Sequence, residues 1–131
     1  MRFFNASATP VFLWRKLSSS FARKSRIANY RLYGAPHAIF LYQHSSLSAW
    51  SVLDMGAFAQ TIMLAANAKG LATVPQAFLC GYAAEVKKFL AIPHDRRLVL
   101  GISIGYPDLS DKAATYVSPR CDLGEVARWV E

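Results

Sequence analysis

Asp54–Gly70, DMGAFAQTIMLAANAKG, is the stretch on which the fold turns. From Met55 to Ala68 it carries no charge, and only Gln60, Thr61 and Asn67 are polar. Small residues (Gly56, Ala57, Ala59, Ala65, Ala66, Ala68) alternate with bulky ones (Phe58, Ile62, Met63, Leu64). Ala, Leu and Met are strong helix formers. Lys69 followed by Gly70 is the expected stop, a cation in the last turn and then a residue free to turn left-handed. With apolar residues on nearly every side, the helix is expected to be buried most of the way round. It is too short and too interrupted by amides to span a bilayer, which takes about 20 apolar residues. Either it is the central helix of one globule or it packs against a second subunit. Its alanines allow the close backbone approach that both require.

The chain has 131 residues, enough for one domain with a real core. Apolar residues make up 53% and mean hydropathy is +0.19, which favours a buried subunit interface over a lone small globule. The net charge of +7 is unevenly placed. Arg2, Arg15, Lys16, Arg23, Lys24, Arg26 and Arg31 precede the first acid, Asp54, whereas later basic and acidic residues balance. Residues 1–27 therefore read as a basic leader and 28–131 as the domain. An Arg- and Ser-rich, acid-poor leader suits a solvated lead-in helix, a targeting peptide, or a basic arm for nucleic acid or a membrane surface. Its aromatic residues precede the main basic run instead of interleaving with it, so nucleic acid is not an expected partner. Cys80 and Cys121 show no zinc-site spacing and read as free thiols in a reducing, cytoplasmic setting.

Outward from the central stretch, Gly34-Ala35-Pro36 breaks the chain and Ala38–Tyr42 reads as a short buried strand. Ser46 or Ser48 is placed to cap the central helix. Leu71–Val74 is extended and stopped by Pro75, and Ala83–Leu90 is an amphipathic helix. Leu98–Tyr106, LVLGISIGY, is the strongest strand, uncharged and apolar on both faces as a central strand should be. Asp108–Tyr116 reads as loop and Asp122–Val130 as a closing helix. This order makes an α+β or α/β layered domain. The usual catalytic constellations are thin: no glycine-rich phosphate loop, no carboxylate pair at helical spacing, no metal-ligand cluster. His37, His44 and His94 are separated turn or surface positions, and residues 77–83 offer Cys80 no basic neighbour to activate its thiol.

Several segments in one order carry a family resemblance. They are Asn29–Pro36 (NYRLYGAP), Trp50, Asp54–Ala66, Gly70–Gln76 (GLATVPQ), Leu90–Pro93 (LAIP), Leu98–Pro107 (LVLGISIGYP) and Ser118–Arg120 (SPR). Together they resemble the nitroreductase family of flavoenzymes over about residues 28–130. The resemblance implies an α+β, three-layer α/β/α nitroreductase-like fold built around a buried central helix, and a homodimer with FMN at its interface. It implies an FMN-dependent oxidoreductase passing electrons from NAD(P)H through FMN to nitroaromatic, quinone or similar small-molecule acceptors. Residues 1–27 do not resemble the family's Arg-rich entrance, so the chain reads as the C-terminal part of such a protein, truncated. The alternative is a non-catalytic dimerising or partner-binding remnant that has lost flavin. The flavin carries the chemistry, so no protein nucleophile is expected. The resemblance places Pro75, Gln76 and Ala77 beside the isoalloxazine ring and Arg120 on the FMN phosphate, with Ser118 standing where one branch has a second basic residue.

Overall fold

A computed structural model of the chain describes residues 19–130. Most of the basic leader, residues 1–18, lies outside the described residues. The described chain begins with helix α1 (Ser19–Tyr30), so the expected division between residues 27 and 28 falls inside a helix. Strand β1 (His37–His44), helix α2 (Trp50–Asn67), strand β2 (Ala72–Gln76), helix α3 (Ala83–Phe89) and strand β3 (Arg96–Gly105) follow. Short 3-10 turns cover Leu32–Gly34 and Ala77–Tyr82, and two single-turn helices, α4 (Lys112–Thr115) and α5 (Leu123–Val126), close the chain.

The sheet is antiparallel with order β1-β3-β2. The uncharged run expected to be central is central, because β3 alone can satisfy ladder bonds on both sides. Side chains alternate across a strand, so β3 splits its residues between two layers. Leu100 and Ile102 face α2, paired across the sheet with Leu41 and Ile39 and packed on Met55, Ala59, Ile62 and Met63. Gly101 and Ser103 face the opposite layer, which holds the 3-10 turn Ala77–Tyr82 and the end of α1. This is the three-layer α/β/α arrangement that the resemblance implies. Gly101 lets Leu79 pack close to the sheet, since a Cβ there would lie 2.5 Å from Leu79 Cδ1 and the leucine would have to shift. Gly101→Ala is expected to cost about 1–3 kcal/mol, read as a lower midpoint in urea unfolding with an unchanged slope.

Helix α2 ends as expected. Gly70 takes φ +74, its N–H bonds Asn67 O at 2.9 Å, and Leu71 N–H bonds Ala66 O at 3.0 Å. These are the paired closing bonds of a glycine-terminated helix. Its start differs: the residue before the helix is Ala49 with no side-chain cap, and the Ser51 hydroxyl instead donates to Ser48 O at 2.7 Å. Its burial differs too. Ala59 and Ala66 are its only buried residues, while Trp50, 79% exposed, lines the opposite side with Leu53, Ala57 and Leu64. One sheet covers one stripe of a helix, and the described residues bring only one sheet to it. Pro75 does not stop β2 but lies within it, opposite Ile102. It is tolerated because β2 is an edge strand, where one missing N–H costs no ladder bond. The closing helix is shorter than expected, Leu123–Val126 instead of Asp122–Val130, and α4 interrupts the expected loop.

Candidate functional site

The corner where β2 runs into the 3-10 turn sets Pro75 and Ala77 at the surface with Gln76 between them, 2% exposed. Its side chain points inward and is fully engaged. The Ser103 hydroxyl donates to Gln76 Oε1, and Gln76 Nε2 donates to Asn29 O at 2.9 Å and Asn29 Oδ1 at 3.3 Å. Asn29 Nδ2 in turn donates to Ser25 O at 3.1 Å and to the Tyr33 hydroxyl at 2.7 Å. A buried primary amide costs about 1–3 kcal/mol if left unpaired, so its three bonds keep the corner from rearranging. Whatever meets this corner from outside therefore meets its backbone and the Pro75 and Ala77 side chains, not the Gln76 amide.

Beside the corner, Tyr30 packs on Phe78 (ring centroids 5.2 Å apart) and, edge-on, on Tyr82 (4.9 Å). Desolvation first, and then the hydrogen bond and charge of Tyr82, push the Tyr30 phenol up to about 12, so it stays protonated at any working pH. Cys80 is half-buried in the same turn, and burial pushes its thiol up, the opposite of what a nucleophilic thiolate needs. His44 ends β1 with Nε2 on Asp95 Oδ2 at 3.1 Å and Nδ1 on Ser46 Oγ at 2.6 Å, fastening the tip of β1 to the turn before β3. Among the described residues no group of three or more His, Cys, Asp or Glu is placed to hold a metal ion.

Arg120 lies in the exposed segment between α4 and α5. Its Nη1 donates to Ser118 O at 2.9 Å, to Ser118 Oγ and to Pro119 O at 3.3 Å, all neutral oxygens of its own loop. The four residues expected at a site thus fall into two places, three at the sheet corner and one on the C-terminal loop. Asn29 and Ser103, which hold the corner from behind, were given no role by the sequence reading. The available signal was Ser103 itself, a lone hydroxyl in an otherwise apolar central strand.

The pattern of the nitroreductase family matches residues 5–106. The nitroreductase NfnB of Mycolicibacterium smegmatis is 41% identical over 99 residues, covering 76% of this chain and 42% of that protein. A 4-nitrobenzoate reductase of Pseudomonas putida is 34% identical over 101 residues, covering 76% of this chain and 44% of the relative. The chain thus spans less than half the length of these two relatives. The solved structure of the FMN-dependent nitroreductase NfnB from Mycobacterium smegmatis in complex with NADPH matches with a TM-score of 0.83 and 29% identity. That match covers 100% of this chain and 65% of the other. With the family pattern matched over most of the chain and a relative 41% identical over 76% of it, this protein belongs to the nitroreductase family.

Proposed function

We propose that this chain serves an FMN-dependent oxidoreductase passing electrons from NAD(P)H through FMN to nitroaromatic, quinone or similar small-molecule acceptors. The observation that carries this reading is the match of the whole chain to an FMN-dependent nitroreductase in complex with NADPH. The residues fit a flavin. A corner that turns its polar side chain inward and leaves Pro75 and Ala77 outside suits the edge of a flat, largely apolar ring that takes hydrogen bonds from backbone. Arg120, resting on neutral oxygens of its own loop, can exchange them for a phosphate in the fork geometry that guanidinium favours. When bound, FMN supplies the hydride chemistry, and the protein binds, orients and shields it.

The protein acts, in this reading, as a homodimer in the cytoplasm. The exposed stripe Trp50, Leu53, Ala57 and Leu64 on α2 supports the dimer, being apolar and lying opposite the sheet. Two unpaired cysteines support a reducing compartment. No helix among the described residues is long and apolar enough to cross a membrane.

FMN titration of the purified chain, followed by flavin fluorescence quenching, tests the proposal. Wild type should quench FMN saturably and turn yellow. Arg120→Ala should weaken FMN by about 1.5–3 kcal/mol, on the order of ten- to a hundred-fold, and leave riboflavin, which has no phosphate, nearly unchanged. Equal losses for both ligands would remove Arg120 from the phosphate. No quenching of either by wild type would leave the non-catalytic remnant as the reading.

A further inference from the structure

We propose that Gln76 is a positioning residue of the flavin site, its buried amide pinning the Pro75–Ala77 backbone to Ser103 on β3 and Asn29 on α1. The inference rests on the FMN reading above and adds the residues that shape the corner from behind. Gln76 and Ser103 are each 2% exposed, so neither side chain reaches a ligand lying outside the corner. Their effect on such a ligand passes through the backbone between the two exposed neighbours, Pro75 and Ala77.

Three features make the clamp more than one hydrogen bond. The Gln76 amide joins two elements far apart in the chain, accepting a hydrogen bond from Ser103 and donating to Asn29. The next contact is Leu79, buried over β3 with its Cδ1 2.5 Å from where a Cβ on residue 101 would lie. Behind Asn29 stands a strained turn. Leu32 (φ 54) and Tyr33 (φ 53) both occupy the left-handed region that residues other than glycine seldom adopt. Such strain persists where the surroundings over-determine the backbone, and it gathers at functional sites. Asn29 ties this turn to Gln76 through the Tyr33 hydroxyl. The polar chain Ser103–Gln76–Asn29–Tyr33 thus links the corner to the turn between α1 and β1.

The test uses the full chain and four variants: Ser103→Ala, Gln76→Leu, the double substitution, and Asn29→Ala as the mildest perturbation, since it leaves the Asn29 backbone acceptor in place. Amide hydrogen exchange of the flavin-free protein reads the clamp directly. Ser103→Ala and Gln76→Leu should each speed exchange across residues 77–82 about ten-fold while β1–β3 pairing stays protected. With FMN, both should raise the dissociation constant about ten-fold and shift the flavin absorption band and midpoint potential in one direction. The double variant should be no worse than Gln76→Leu, because the residues act as a unit, and Asn29→Ala should show a smaller shift of the same sign. Variants that melt earlier yet keep wild-type exchange at 77–82, flavin affinity, band and potential would overturn the proposal and leave Gln76 a core residue only. Failure of wild type to bind FMN would overturn the role through the FMN reading itself, and that failure is visible before any variant is made.

Discussion

Ala59→Arg is expected to abolish folding, whereas Leu64→Arg is expected to leave the fold intact and break the proposed homodimer. The two residues lie five apart on α2 and face opposite ways. Ala59 is buried against Leu41 and Ile102. An arginine there must either carry an unpaired charge into the core, at several kcal/mol, or push the helix off the sheet. Against a total stability of about 5–15 kcal/mol, no folded population should remain. Far-ultraviolet circular dichroism without a cooperative thermal transition would show it. Leu64 is exposed on the stripe shared with Trp50 and Leu53. Arginine there costs the isolated chain little but should weaken self-association by about 2 kcal/mol or more, at least thirty-fold, read by size-exclusion chromatography with light scattering. A folded, monomeric Ala59→Arg would mean that the alanine face, not the Leu64 face, meets the partner. An unchanged dimer for Leu64→Arg would remove the stripe from the interface.

The second large effect is expected at Ile102, which is fully buried between β1, β2 and α2. Ile102→Ala deletes buried methyl and methylene groups at a position where both neighbouring strands and the helix meet, and nearby side chains cannot collapse into the gap from every side. The expected loss is about 2–5 kcal/mol, seen as a lower denaturant midpoint with an unchanged slope. Ile102→Val, which removes one carbon, should cost about 0.5–1.5 kcal/mol. A loss below 1 kcal/mol for alanine would mean that the sheet is not the core of this fold. Because Pro75 pairs with Ile102 across the sheet, Ile102→Ala should also disturb the candidate flavin corner, whereas Leu64→Arg should not.

What the sequence determined by itself was local. The uncharged run Leu98–Tyr106 reads as an inner strand, Gly70 as the end of a helix, and the ordered segments from Asn29 to Arg120 carry the family resemblance. Each of these rests on neighbours in the chain, through backbone preference, burial of a continuous apolar run, or a motif. The tertiary structure decided everything that depended on direction. A helix apolar on every side has no periodicity to say which stripe meets the sheet, so only packing showed that Ala59 and Ala66 face inward and Trp50 and Leu64 outward. Pro75 read as a strand terminator because sequence does not reveal an edge, and only the strand order put it where a missing N–H is harmless. The resemblance places Gln76 beside the flavin ring without fixing which way its side chain turns. Its inward turn was set by Ser103 and Asn29, 27 and 47 positions away along the chain, separations at which pairing comes from the folded topology and not from local pattern.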